Sequence, residues 1–219
     1  MKIMKRTLGL GTALLGATLA MAAQADVLKI GYQKAGLPVI ARQQHLIEDA
    51  LKPAGVDVQW VEFSAGPPLV EALNTGAIQV GWTGDAPPIF GQSAGAAIVY
   101  VAALPSNGKG EAIIARADSG IATLADLKGK RVAVGKGTSA HNLLVVALEK
   151  AGLSLADIDP VYLSPADAAA AFASGKVDAW SIWDPFLAIA ETRQKPVVLA
   201  KSSDAVSYTH LTLPTKRIV

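Results

Sequence analysis

The chain alternates short apolar segments with segments of mixed polarity. Residues 57–63 (DVQWVEF) alternate at a period of two, which predicts a strand with Val58 and Trp60 on one face. Residues 67–74 begin with two prolines and are followed by Gly76, as expected at the start and end of a helix. The pattern predicts strands at 27–32, 57–63, 78–82, 97–103, 111–115, 131–134, 161–163 and 177–182. It predicts helices at 38–51, 67–74, 87–95, 123–129, 138–151, 165–174 and 184–192.

Short strand–helix units in series predict an α/β fold with parallel sheets covered on both faces. A loop of breaker residues at 105–110 (PSNGKG) divides two such series. We therefore expect two lobes, at 26–105 and 106–205. Ligands of open α/β sheets bind outside the carboxyl ends of the strands, so a cleft between the lobes is the expected site.

The first 25 residues have the pattern of an export signal. Lys2, Lys5 and Arg6 precede an apolar run at 8–21, and Ala-Gln-Ala at 23–25 is typical of a cleavage site. The run is too short and too rich in Gly and Thr for a membrane span. The sequence predicts a signal peptide that is cleaved after Ala25 and a periplasmic location.

Composition excludes several classes of protein. Residues 1–25 and 206–219 contain five of the 20 basic residues and none of the 18 acidic ones, so the body between them has a net charge of −3. A basic nucleic-acid binder is excluded by this balance. The absence of Cys excludes disulfides and thiolate chemistry.

Two strand-to-helix turns carry the candidate chemistry. The first contains Thr83, Gly84 and Asp85, followed by two prolines, and the second is Gly-Lys-Gly at 135–137 followed by Thr138. Helix N-termini carry unpaired N–H groups and a partial positive charge, so each turn is a potential anion site. Helix capping alone would explain either turn. Two turns, one in each lobe, favour a shared oxyanion ligand.

Other site chemistries fit less well. Lys136 is followed by Gly137, which breaks a phosphate-binding Walker loop, and Ala140 breaks a dinucleotide motif. A triad built on Ser139 and His141 does not fit, because residues 137–141 (GTSAH) lack the second glycine of the G-x-S-x-G nucleophile elbow. His45 and His141 are the only histidines of the body and lie far apart in sequence, so we predict no metal site and no cofactor.

Two tryptophans mark the end of one predicted strand. Trp180 and Trp183 are three residues apart and should face opposite sides of the sheet. We expect one in the core and Trp183 in the cleft, although packing alone would explain either residue. Asp184 precedes Pro185 and is expected to cap the next helix.

Several short stretches, taken in their order along the chain, resemble those of the periplasmic aliphatic sulfonate-binding proteins of ABC transporters. This group also includes taurine- and nitrate-binding proteins. The resemblance covers nearly all of 27–200. It implies a two-lobed type II periplasmic binding protein, a monomer that delivers an alkanesulfonate to an inner-membrane permease. The matching stretches include 31–34 (GYQK), 60–63 (WVEF), 83–90 (TGDAPPIF), 125–130 (ADLKGK), 141–144 (HNLL) and 182–185 (IWDP).

The end of the chain departs from this resemblance. From about residue 206 the sequence leaves the family's register, and 206–211 (VSYTHL) resembles translated adapter DNA. We therefore expect a foreign tail at 206–219 on a C-terminally truncated chain. The first lobe would then lack its return segment and expose unpaired strand edges.

A sulfonate is a permanent anion without a proton, so donors alone should hold it. Taurine, nitrate and a sulfate ester stay open as alternative ligands. An enzyme on the same fold, of the thiamine-pyrimidine precursor type, is disfavoured because the chain has no Cys and one candidate cleft His. The predicted ligand-binding residues are Gln33, Thr83, Gly84, Asp85, Thr138, Ser139, Ala140, His141, Trp183 and Asp184.

Overall fold

The protein contains two β-sheets with helices packed against them. A computed structural model describes residues 26–104 and 108–205, so the predicted signal peptide and tail lie outside the described residues. Within the described residues the eight strands are β1 (Asp26–Tyr32), β2 (Val56–Glu62), β3 (Val80–Gly81), β4 (Glu111–Ala115), β5 (Arg131–Val134), β6 (Asp159–Tyr162), β7 (Ala179–Trp183) and β8 (Val197–Lys201). The α-helices are α1 (Leu37–Gln43), α2 (Leu46–Leu51), α3 (Gly66–Asn74), α4 (Ala86–Ser93), α5 (Ser139–Lys150), α6 (Pro165–Ala173), α7 (Phe186–Gln194) and α8 (Ser202–Ala205).

The first sheet has three parallel strands in the order β2-β1-β3. The second has five strands in the order β6-β5-β7-β4-β8, in which β4 runs antiparallel to both of its neighbours. The expectation of purely parallel sheets is therefore wrong for β4. The chain reaches β4 from the segment that connects the two sheets. The rule that a crossover helix makes successive strands of one sheet parallel therefore does not apply to β4.

Two further sequence expectations are wrong, and two elements were not predicted. The helix expected at 38–51 is broken before α2, where His45 adopts a left-handed backbone with φ of 54°. The strand expected at 97–103 does not form: residues 96–104 belong to no helix or strand, and Val99 and Val101 are 85% and 86% exposed. A strand requires a hydrogen-bonded partner, and no described strand lies beside this segment. Strand β8 and helix α8 were not predicted at all.

The hydrophobic core lies mainly on the two faces of the second sheet. Along β4, Ile113 and Ala115 belong to one buried cluster, and Ala112 and Ile114 to the other. This alternation follows from the period of two in a strand. Trp180 is 2% exposed, which confirms the expectation that one tryptophan of the pair enters the core.

Within the described ranges, no helix combines the length and hydrophobicity that a membrane crossing requires.

Candidate anion-binding site

The first turn joins β3 to α4. The carboxylate of Asp85 accepts a hydrogen bond from the backbone N–H of Ala86 at 2.8 Å and so caps the helix. Pro87 and Pro88 follow and have no N–H to donate. The amides of Gly84 and Asp85 have no hydrogen-bond partner in the described part of the chain. The donors that this turn offers therefore precede the helix.

The second turn joins β5 to α5. Thr138 caps α5: its buried hydroxyl accepts from the N–H of His141 at 3.3 Å and donates to the carbonyl of Gly135 at 2.7 Å. The hydroxyl of Thr138 and the amide of His141 therefore make their hydrogen bonds within the turn. The amides of Ser139 and Ala140 have no partner within the described ranges. Two N–H groups of this helix end are thus available to a ligand.

His141 is held inside the second turn. Its Nδ1 accepts a hydrogen bond from the N–H of Gly137 at 3.3 Å. Its ring and that of Tyr162 pack edge to face, with their centroids 5.6 Å apart. Burial, and then the charge of Lys136, lower the pKa of His141 below its usual range. Its Nε2 is buried without a partner in the described structure. Its surroundings therefore favour the neutral ring, and the hydrogen bond accepted at Nδ1 assigns the proton of that ring to Nε2.

The structure brings the two turns together. A β-carbon built on Gly84 would lie 3.2 Å from Ser139 Oγ and 3.4 Å from Ser139 Cβ. A β-carbon on Gly137 would lie 3.6 Å from Pro67 at the start of α3. Glycine at 84 allows the backbone of the first turn to lie directly against the first residue of α5. The two turns, each with two amides that have no partner among the described residues, are consequently in contact.

Gln33 adds a side-chain amide beside the first turn. It follows β1, and its Nε2 lies 3.4 Å from the hydroxyl of Thr83 and 3.4 Å from the carbonyl of Trp82. Both contacts are near the limit of a hydrogen bond. Gln33 and Thr83 are thus placed together at the edge of the paired turns.

Glu111 belongs to the same site, and the sequence analysis missed it. It is the first residue of β4, and its Oε1 accepts the hydroxyl hydrogen of Ser139 at 2.7 Å. Burial, reinforced by the charge of Asp85, raises the pKa of Glu111 to about 7 against the hydrogen bonds from Ser139 and Ser202. A Glu that follows a polar loop resembles a solvated surface residue in sequence, so only the strand pairing reveals its position.

Trp183 lies directly across the strand pair from Glu111. It is half-buried and packs against both hydrophobic clusters of the second sheet. Asp184 Oδ1 accepts the N–H of Ala188 at 3.2 Å in the first turn of α7. The expectation that Asp184 is the N-cap, with Pro185 as the first helical residue, is wrong: Pro185 is itself the N-cap of α7. Asp184 lies one residue earlier and still accepts an amide of the first turn, and its backbone N–H donates to the carbonyl of Gly110 at 2.9 Å.

A separate groove of about 270 Å³ lies between α3 and α4. It is lined by residues that include Pro67, Val70, Phe90 and Gly91, with Gly137 from the second turn. None of the predicted ligand-binding residues lines this groove. Among the described residues, no group of His, Asp or Glu is arranged to hold a metal ion.

The two sheets and their helices give the chain the α/β fold of solved periplasmic binding proteins. In accord with this, the solved structure of the alkanesulfonate-binding protein SsuA from Xanthomonas axonopodis pv. citri bound to MOPS is 50% identical, with a TM-score of 0.77. The match covers 83% of this chain and 62% of that one. The chain belongs to the NMT1/THI5-like family, whose model matches residues 51–216. That match extends into residues 206–219, so the foreign origin of the tail stays a prediction.

Curated relatives have similar names. The chain is 48% identical over 189 residues to a putative aliphatic sulfonates-binding protein of Escherichia coli K12, covering 85% of this chain and 59% of the relative. It is 37% identical over 187 residues to a protein of the same name from Bacillus subtilis 168, covering 84% and 56%. The chain therefore spans less than two thirds of the length of these relatives.

Proposed function

We propose that the chain is an exported solute-binding protein that captures an aliphatic sulfonate between the two turns and delivers it to an ABC importer of the inner membrane. The contact of Gly84 with Ser139 carries this proposal, because it joins two turns that each have two amides without a partner among the described residues. The names of the relatives support the ligand class. The role requires no reacting side chain, so we propose a binding protein and not an enzyme.

The proposed contacts fit the chemistry of the head group. A sulfonate offers three acceptor oxygens and no proton, and the amides of Gly84, Asp85, Ser139 and Ala140 offer four donors. Each hydrogen bond to a charged group contributes about 1.5–3 kcal/mol. After desolvation and ordering costs, micromolar affinity, about −8 kcal/mol, is the expected result. Gln33 and Thr83 would contact the ligand at the edge, and Trp183 would pack on its tail.

The same proposal covers the organisation of the chain. Residues 1–25 would act as a signal peptide that is removed after Ala25 in the periplasm. Residues 26–105 and 106–205 would form the first and second lobes, and the protein would act as a monomer. The proposed partners are an alkanesulfonate and an ABC permease.

Calorimetry tests the ligand. We expect the chain to bind n-butanesulfonate more tightly than inorganic phosphate, taurine or nitrate. Ser139→Ala should weaken butanesulfonate binding roughly tenfold or more through loss of a hydrogen bond to the anion. Ser174→Ala is the matched control, because Ser174 is exposed at the end of α6 and donates only within its own helix. Equal affinity for phosphate and butanesulfonate would contradict the proposal.

A further inference from the structure

Glu111 and Ser139 form a hydrogen-bonded pair between the two turns. Ser139 is the first residue of α5, and its hydroxyl donates to Glu111 at 2.7 Å. Ser202, a fully buried residue at the start of α8, also hydrogen-bonds Glu111. The charge of Asp85 reaches Glu111 from the first turn. Glu111 is thus held by hydrogen bonds from α5 and α8, while the charge of Asp85 disfavours its ionised form.

This arrangement opposes anion binding as long as Glu111 is ionised. A hydroxyl has a single hydrogen to donate. While Ser139 gives that hydrogen to Glu111, it has none for a ligand oxygen. A sulfonate beside Gly84 would also meet two carboxylates, those of Asp85 and Glu111, in a partly desolvated site. An incoming anion therefore favours the neutral form of Glu111.

We propose that Glu111 is a specificity-determining residue that takes up one proton when a sulfonate binds. The proton comes from solvent and bonds to a carboxylate oxygen of Glu111. The neutral acid then donates to Ser139 Oγ, and Ser139 turns its own hydrogen to a sulfonate oxygen. No bond of the ligand forms or breaks. This inference rests on the proposed function.

The surrounding charges identify Glu111 as the group that titrates. Burial together with the charge of Asp85 raises the pKa of Glu111 to about 7, whereas the pKa of His141 is lowered. The surroundings therefore favour the neutral form of both groups, and of the two only Glu111 gains a negative charge when it ionises. The described elements around Glu111 carry the following charged or titratable groups: Asp85 and Lys109 before α4 and β4, His141, Glu149 and Lys150 in α5, Asp184 after β7, Lys201 in β8 and Asp204 in α8.

The consequence for specificity is selection by charge. One proton on Glu111 offsets one negative charge of the ligand, so a permanent monoanion is accommodated. A phosphate monoester dianion brings a second charge beside Asp85 and finds no second proton to offset it. We therefore expect monoanionic head groups to be preferred over dianionic ones of the same shape.

Proton uptake is measured on the full chain with n-butanesulfonate as the probe. Sulfonate buffers are avoided, because a similar protein binds MOPS. Potentiometric titration in unbuffered sodium chloride at about pH 8 should show uptake of between half and one proton for each molecule bound. Calorimetry should show binding at least about tenfold weaker at pH 8.5 than at pH 6.5, since the ligand itself does not titrate.

Glu111→Gln and Glu149→Gln form the matched pair of variants. Gln at 111 is a permanently neutral donor, so this variant should bind at pH 8.5 as tightly as the wild-type chain does at pH 6.5, with no proton uptake. Glu149 is exposed at the far end of α5, and its variant should keep the wild-type profile.

The outcomes separate the two proposals. Failure of the wild-type chain to bind butanesulfonate would overturn the proposed function and this inference with it. Binding without proton uptake would overturn the inference alone, even if the Glu111 variant does not fold. Retention of the full pH dependence in Glu111→Gln would also overturn it, because another group would then be responsible.

Discussion

Gly84 is the residue at which the two halves of the candidate site meet. Its Cα faces the side chain of Ser139, whose hydroxyl is already fixed by Glu111. A new side chain at 84 would press on a group that cannot move freely. The spacing of the two turns therefore depends on the absence of a single methyl group.

A double-mutant cycle tests this dependence. Gly84→Ala places Cβ 3.2 Å from Ser139 Oγ and should destabilise the protein by about 1–3 kcal/mol through overpacking. In a Ser139→Ala background the nearest remaining contact is the 3.4 Å one with Cβ, so the same change should cost less. The free energy of unfolding in urea measures both costs. If the effects of the two substitutions are additive, with a coupling energy below about 0.5 kcal/mol, the contact is contradicted.

At the scale of elements, the two helices that begin at the site differ in their capping. Helix α5 has a buried Thr cap that makes two hydrogen bonds inside the turn. Helix α4 is capped by the carboxylate of Asp85 on a single amide and continues with two prolines. The orientation of the Ser139 and Ala140 amides thus depends on Thr138.

Removal of this cap should be costly. Thr138→Val keeps the shape of the side chain and removes both hydrogen bonds, so we expect a loss of about 1–2 kcal/mol in the free energy of unfolding and weaker sulfonate binding. Thr192→Val is the control, because Thr192 is exposed and donates only to Ala188 in its own helix. It should change stability by less than about 0.5 kcal/mol. Equal losses in the two variants would show that the Thr138 cap has no special role.

Most elements could be predicted from local signals, and the exceptions have a physical explanation. Prolines, caps and hydrophobic periodicity act within a few residues, which is why helices α3, α5 and α6 lie close to their predicted positions. The direction of β4 and the loss of the strand at 97–103 depend on which strands are neighbours. The position of Glu111 at the site depends on the same long-range pairing, so the sequence pattern could not reveal it.

At the scale of the whole molecule, the two sheets are supported unequally. Both large hydrophobic clusters lie on the second sheet. The first sheet has three strands, one of them only two residues long, and the apolar residues 96–104 that follow α4 have no strand partner in the described structure. The first sheet should therefore open more readily than the second.

Hydrogen exchange followed by mass spectrometry tests this difference. Peptides that cover β5 and β7 should exchange at least about a hundredfold more slowly than those that cover β3 and residues 96–104, because exchange there requires opening of the buried clusters. The protein should be measured without ligand, since binding would protect both halves. Equal protection of the two sheets would contradict the expected difference.

The consecutive prolines at the start of α4 give the two sides of the site unequal roles. The α4 side offers two amides that precede the helix and then prolines without N–H groups, whereas the α5 side offers two amides of the helix end and the hydroxyl of Ser139. A bound anion would consequently have a preferred orientation, with its oxygens toward α5 and its substituent pointing away from α5. Variation in the substituent would then be accommodated without disturbing the contacts that hold the charge.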